Sequence, residues 1–332
     1  MRSIVWMSEP LTVALRELLS SDVTVVSSER EFLEAPRDSK TISFVDSSTL
    51  GQLEGPPGTA GHVIAICDDL LPVAVSWLPS RPWLSHVVSA AMLEHPLARE
   101  HLGNVMTTLV KVGRPRLLDW LAPSVAGRRI RLAHASKRVE RLERMGDYFA
   151  SKGVATRTID LLRDAAEELL TNAFYDAPVA SGAVKHAISR TQDVALPDDS
   201  ACDMVYGCRD ELAIVRVRDP FGSLSRTRLV EVLTRCARPG MNVEVDETMG
   251  GAGLGLWRIF SAASFVAISV VNNHHTEFLV GIGKRVTGPR PFAFHLFFKD
   301  QGGPVRRWKL LDVETSQPGS ENSVTILSKS DA

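Results

Sequence analysis

Along the first ~115 residues, short apolar runs alternate with stretches whose apolar positions recur at three- and four-residue steps. The runs RSIVWM (2–7), VTVVSS (23–28), TISFVDSS (41–48), HVIAICD (62–68) and WLSHVVSA (83–90) read as strands. Between them PLTVALRELL, the stretch around REFLEA, DLLPVAVSWL and AAMLEHPLAREHLGNVMTTLVKV read as helices. Such alternation predicts a parallel sheet with crossover helices. GQLEGPPGTAG (51–61), dense in glycine and proline, predicts a loop.

After RPRLLDWLAPSVAG the rhythm changes. RRIRLAH (128–134) reads as a strand, SKRVERLERMGDYFASKG as an amphipathic helix stopped at Gly153, and ATRTIDLLRDAAEELLTNAFYDA as a longer helix. Strands follow at ELAIVRVRD (211–219), SFVAISVVNN (264–273), TEFLVGIG (276–283) and PFAFHLFF (291–298). Helices first and strands later predict an α+β two-layer sandwich, not a second parallel sheet. The expected division is a first domain over 1–115, a linker over 116–127, a second domain over 128–300 and a polar, loosely held tail over 301–332. Residues 181–207 are longer than a simple connection requires and are expected to form an extra partner-binding element.

Composition narrows the function classes. A chain of 332 residues, 44% apolar and 23% charged, has the make-up of a globular protein with room for two domains. Its formal charge of −1 gives no overall reason to expect nucleic acid. The longest apolar run, FSAASFVAISVV, falls short of the ~20 residues a bilayer requires, and the N-terminus lacks the pattern of a secretion signal. Cys67, Cys202, Cys208 and Cys236 form no CxxC pair, so neither a zinc site nor a disulfide framework is indicated, and a cytoplasmic location is expected.

The helix over 158–177 carries two stripes. Ile159, Leu162, Ala166, Leu169, Ala173 and Ala177 make a buried one. Asp164, Glu168, Asn172 and Asp176 make a polar one at four-residue steps. Three acids so stacked repel by a few tenths of a kcal/mol per pair, roughly. A cation over this face would relieve them. Magnesium takes oxygen ligands and is held by few protein groups besides phosphates; the Asn172 amide oxygen suits it, with Glu168 one turn back as a proton acceptor. On the pattern of this helix alone, a solvated face is the favoured reading.

Two later stretches bear on that choice. RVRDPFGSLSR (216–226) presents Asp219 at a strand end before a Pro/Gly turn, where a carboxylate can accept from an exocyclic amine. MGGAGLGLWRIFSAAS (249–264) packs Gly250, Gly251, Gly253 and Gly255 ahead of a helix-competent run, the arrangement that lets backbone N–H groups and a helix N-terminus meet phosphates.

In order, these three stretches resemble the GHKL superfamily of ATP-binding domains, the group of gyrase-type topoisomerases, heat-shock chaperones, histidine kinases, mismatch-repair ATPases and anti-sigma-factor serine kinases. Its E-x-x-x-N-A box is matched by Glu168, Asn172 and Ala173, and its G-x-G-L-G-L box by Gly251, Gly253, Leu254, Gly255 and Leu256. The resemblance implies the Bergerat-type fold, ATP and Mg²⁺ as cofactors, Glu168 as base, Asn172 as metal ligand, Asp219 as adenine reader and the glycine box as phosphate cradle. Thr276 corresponds to the threonine that supports the adenine-reading acid. Gly222 comes one residue later than the adenine-box glycine. Asp176 lies near the phosphates, where relatives often carry a basic or histidine side chain. The nearest likeness is to the anti-sigma-factor kinases, in which one strand, one helix and a glycine turn lead into the E-x-x-x-N helix. His134 has none of the surroundings of a histidine-kinase phosphoacceptor.

The first half suits a flavodoxin-like arrangement and resembles a response-regulator receiver. Glu9 follows its first strand, Asp46 ends the third, Cys67 and Asp68 end the fourth, and no lysine follows the fifth in SAAMLEHP. Without that cation an acyl phosphate lacks its charge partner, so Asp46 reads as a structural acid and the domain as a degenerate receiver. The expectation for the chain is an ATP-binding signalling regulator that phosphorylates a Ser or Thr of a regulatory protein, sigma-factor-like or anti-anti-sigma-like, or holds it according to nucleotide state. Direct contact with nucleic acid or membrane is not expected, and a homodimer accords with the relatives. The alternatives are a non-catalytic nucleotide-gated binding module and, behind it, a histidine kinase.

Overall fold

The computed structural model describes residues 1–19, 22–58, 61–67, 70–111, 115, 117–121, 127–238, 254–285 and 291–299, with short strands at 308–309, 323–325 and 327–328. The fold is mixed α/β, and the chain divides into two compact units. The first gathers Met1–Arg116, Val230–Gly253 and Thr287–Leu296; the second gathers Leu117–Leu229, Leu254–Val286 and Phe297–Ala332. The expected boundaries are corrected accordingly, because the chain returns to the first unit twice.

In the first unit, strands β1 (Arg2–Trp6), β2 (Asp22–Val25), β3 (Thr41–Asp46), β4 (His62–Cys67) and β5 (His86–Ser89) lie parallel in the order β2-β1-β3-β4-β5. Helices α1 (Glu9–Leu18), α2 (Glu29–Glu34), α3 (Ser47–Gln52) and α4 (Leu71–Ser76) make the crossovers, followed by α5 (Ala90–Leu93) and α6 (Ala98–Val110). Parallel strands are covered on both faces, and β3 is buried at every position, as its unbroken run Thr41–Asp46 requires. Ala293–His295 adds antiparallel to β5.

The loop expected over 51–61 begins later, since α3 runs to Gln52. Its cause is Asp46, whose carboxylate accepts from the Thr49 N–H at 2.9 Å while Thr49 answers with its side chain, a reciprocal cap. Asp46 also accepts from the Ser8 N–H at 2.7 Å. These bonds hold its carboxyl below the usual carboxylate value against the opposing effect of burial. Asp68 lies outside the described residues.

The second unit has an antiparallel sheet built from β6 (Arg128–Leu132), β8 (Cys202–Arg209), β9 (Leu212–Asp219), β10 (Phe265–Val271) and β11 (His275–Gly283), in the order β10-β11-β9-β8-β6. Strand alternation gives it two distinct faces. Tyr206 on β8 meets the rings of Tyr148 and Phe149 on α7 (Arg138–Ser151), so Val215, Val217 and Asp219, in register with or alternating from it, face the helices. Helix α8 (Thr156–Thr171) packs on β9 and β11 there, with α7 beside it and also α11 (Leu254–Ala262), the helix that follows α10 (Arg226–Ala237) in the chain. The opposite face carries Arg216 and Phe265. Trp120, in a 3₁₀ turn at Leu117–Trp120, packs on Phe265 and Phe297, whose strand is β12 (Ala293–Lys299).

Two expectations are overturned here. Leu117 and Trp120 are buried in the second unit, so residues 116–127 do not begin as a linker. Residues 181–207 are not an insertion: they hold β7 (Asp193–Ala195) and most of β8, which sits between β6 and β9. β8 is buried from Cys202 to Tyr206, and Asp210, at φ 44°, turns it into β9. In the tail, Ser323–Thr325 pairs parallel with Asp193–Ala195; most of 301–332 lies outside the described residues. Among the described residues no helix is long and apolar enough to cross a membrane.

Candidate functional site

Helix α8 forms because Ile159, Leu162, Ala165, Ala166, Leu169 and Leu170 recur on one buried face. It does not run on to residue 177 as one α-helix. Asn172–Asp176 winds as a π-helical turn, with the Ala177 N–H donating to the Asn172 carbonyl, before α9 (Ala177–Ala180). The sequence supplies the reason. Pro178 has no N–H for the Phe174 carbonyl and its ring would press on that group, and the wider turn relieves both. The polar stripe therefore keeps regular α-helical spacing only as far as Asn172, and Asp176 follows across the π turn.

Asn172 donates from Nδ2 to Glu168 Oε1 at 3.3 Å. An amide that gives its nitrogen to a carboxylate keeps its carbonyl oxygen for another partner, such as a cation. Glu168 is half-buried, and burial raises its carboxyl above the ordinary value of 4.5 against the lowering effects of Asn172, Arg190 and Arg258. A carboxylate moved toward neutral pH and still hydrogen-bonded is suited to accept a proton.

Gly255, in the first turn of α11, faces that carboxylate directly. A Cβ there would fall on Cγ, Cδ and Oε2 of Glu168. The absent side chain is thus a requirement of close approach, not of backbone conformation. Leu254 and Leu256 begin the same helix. Gly251 and Gly253 lie outside the described residues.

Across the π turn, Asp176 still acts on Glu168 by its charge. Its Oδ2 lies 3.7 Å from Nη2 of Arg190. Burial raises its carboxyl, and the arginine opposes this. The connection carrying Arg190 is tied to the helix end, with Tyr175 donating its hydroxyl to the Gln192 carbonyl at 2.8 Å.

A second cluster stands at the end of β9. Asp219 is 9% exposed and pairs in register with Thr276 on β11. Its Oδ1 accepts from the N–H groups of Phe221 at 2.8 Å and Gly222 at 3.3 Å. Burial raises the Asp219 carboxyl, while these donors and both the hydroxyl and backbone of Thr276 lower it. Gly222 sits at φ +64°, and a Cβ there would strike backbone atoms of Val271, His274 and His275. The turn Asp219-Pro-Phe-Gly222 accommodates its extra residue by burying Phe221 completely.

The structure thus joins Glu168 with Asn172 and Gly255, and Asp219 with Thr276 and Gly222, on elements that pack against one another. Sequence reasoning missed Arg190 and Arg258, whose charges both act on Glu168. Arg258 was legible in principle, one turn after Leu254 on the helix that carries Gly255; Arg190, in a loop, had no local signal. His134 follows β6 and lies 3.5 Å from Asp193, a strand-end contact. Among the described residues no group of three or more His, Cys, Asp or Glu side chains is placed to hold a metal. Comparison with protein-family models finds no match to this chain, and comparison with curated proteins finds none.

Proposed function

We propose that the second unit binds ATP with Mg²⁺ in the manner of GHKL domains and transfers its terminal phosphoryl group to a Ser or Thr of a regulatory protein partner, sigma-factor-like or anti-anti-sigma-like. The observation that carries this reading is the seating of Gly255 against a Glu168 already bonded to Asn172, because two distant sequence boxes meet at one carboxylate. An antiparallel sheet with helices on the Asp219 face supports a Bergerat-type fold. Strand order 2-1-3-4-5 in the first unit supports the flavodoxin and receiver likeness, with Asp46 occupied as a cap.

In this reading Asn172 would hold magnesium through its amide oxygen, and the ion would supply charge neutralisation at the phosphates. Asp219, fixed by Thr276 and its own turn, accepts the adenine amine. Glu168 takes the proton of the attacking hydroxyl, and Arg190 screens Asp176 from the nucleotide. Arg190 and Arg258 oppose the upward pull of burial on the Glu168 carboxyl. A second reading, a nucleotide-gated binding module without transfer, is favoured by one observation: Asp176 places a further carboxylate in the same neighbourhood.

Incubation with γ-labelled ATP and cell extract separates them. Label on a Ser or Thr of another protein, lost in Glu168→Gln, is the expected result. ATP binding without transfer, indifferent to Glu168→Gln, would establish the module instead, and acid-labile label on the chain itself a histidine kinase. Transfer should fall on the acid side with a midpoint above 4.5, the ordinary carboxylate value, since the base must be ionised and its carboxyl is raised.

A further inference from the structure

A cleft of about 690 Å³ lies in the second unit away from Glu168 and Asp219, lined by Gly127–Ile130, by Arg141, Arg144, Asp147, Tyr148 and Ser151 of α7, and by Tyr206. Its geometry follows from the sheet. Successive side chains of a strand point to opposite faces, so Arg128, Arg129 and Ile130, three consecutive residues of β6, can line one cleft where the strand's outer margin, its backbone included, borders it. β6 is the end strand of its sheet, paired among the described residues with β8 alone. The other wall is helical: Arg141, Arg144, Tyr148 and Ser151 recur at three- and four-residue steps and so share one face of α7.

The charge on this cleft is one-sided. Four arginines and one aspartate line it. Among the described residues Glu140 alone answers two of the arginines, at 2.5 Å from Arg144 and 4.0 Å from Arg141. Arg129 is bonded to Asp203 at 2.7 Å, and Arg128 forms no ion pair among the described residues. Half-buried Tyr148 supplies an aromatic surface beside these charges, backed by buried Tyr206 with its ring centroid 5.3 Å away.

We propose that β6 takes up an extended acidic peptide as an additional strand, its backbone pairing with the outer edge of β6 and its carboxylates meeting Arg141 and Arg144. Arginines on the strand alone would read as the charges that keep a sheet edge from pairing indiscriminately. Here a helix aims two more at the same edge, and that converts a repelled edge into one selective for acidic partners. Five residues of β6 span about 17 Å, room for a strand of similar length. The inference stands apart from the nucleotide reading, since none of these residues belongs to that site.

The test uses the full-length chain without nucleotide and measures anisotropy of a labelled Glu-Val-Glu-Val-Glu peptide, its Lys-for-Glu counterpart, and an acidic version N-methylated at alternate residues. Saturable binding of the acidic peptide is expected. It should weaken with salt, fall at least tenfold on N-methylation, and fall at least tenfold in the Arg141→Ala/Arg144→Ala variant. The N-methylated arm reads strand pairing in the unaltered protein, whatever the variant's folding. No saturable binding overturns the proposal. So does equal binding of the N-methylated peptide, which would reduce it to charge attraction. A dimer in sedimentation that Arg141→Glu dissociates also overturns it, by giving the edge to a second copy of the chain.

Discussion

Gly255 and Gly222 are both positions where a methyl group has no room, yet they resist it for different reasons. At Gly255 the obstacle is the flexible end of Glu168, which can swing aside. Gly255→Ala should therefore change the urea-unfolding free energy by less than ~1 kcal/mol, because a surface-side rotamer change is small against a core repacking. It should still abolish transfer, because Glu168 leaves Asn172. At Gly222 the obstacle is backbone, and the residue sits at φ +64°. Gly222→Ala should cost about 1–3 kcal/mol, as overpacking and a left-handed conformation combine. Parallel urea titrations and transfer assays on the two variants check the contrast. At this scale the sequence was informative where residues act on neighbours one helical turn away, as Glu168 and Asn172 do. It was mute on Arg190, whose effect exists only after a loop folds back.

At the scale of elements, local pattern predicted α7, β9, β10 and β11 closely and α8 as far as Thr171, because the helices repeat against one buried face and the strands are short apolar runs buried along nearly their whole length. β8 escaped because its residues Cys202–Tyr206, though continuously buried, read CDMVY, with a carboxylate and little alternation to mark a strand. Equally hidden was the far face of the sheet. Arg216, with its side chain 4% exposed, bonds Asp203 at 2.7 Å and also Glu277, both buried. A strand reading ELAIVRVRD places two arginines on a solvated face; the structure buries one of them between carboxylates from β8 and β11. The Asp203 carboxyl is held below its ordinary value by its two arginines, against the cost of burial. Removing the shared partner takes from buried Glu277 its bonded arginine and leaves Asp203 with Arg129, so Arg216→Ala should cost about 3–5 kcal/mol by urea denaturation, more than Arg30→Ala in the exposed Arg30–Glu34 pair, where less than ~1 kcal/mol is expected.

For the whole molecule, alternation of strands and helices against helices followed by strands announced two architectures. What it could not announce is that the first unit recruits residues from after position 229, since recruitment is decided by tertiary packing and leaves no period in the sequence. One consequence is a histidine cluster drawn from three separated stretches. His86, His101 and His295 are buried in the first unit, and the Nε2 atoms of His101 and His295 lie 3.0 Å apart. Burial pushes His86 down to about 3 and His101 to about 4, and His295 also well below its usual value. Unfolding lets these rings take up protons they refuse when folded, so their contribution is intact above the ordinary value of 6.5 and is lost as pH falls from there toward about 3. The raised carboxyls of Glu168 and Asp219 work in the opposite sense and partly mask the loss. Urea midpoints should therefore fall between pH 7.5 and pH 5, and a His101→Leu/His295→Leu variant should show a flatter dependence.

The central claim, that the Glu168–Asn172 pair and the glycine box form one magnesium–nucleotide site, is met most directly by titrating ATP into the wild type and Asn172→Ala with and without Mg²⁺. Saturable binding to the wild type that tightens with Mg²⁺, and loss of that tightening in Asn172→Ala, is the predicted result. No saturable binding by the wild type, or a Mg²⁺ response unchanged in Asn172→Ala, would contradict it.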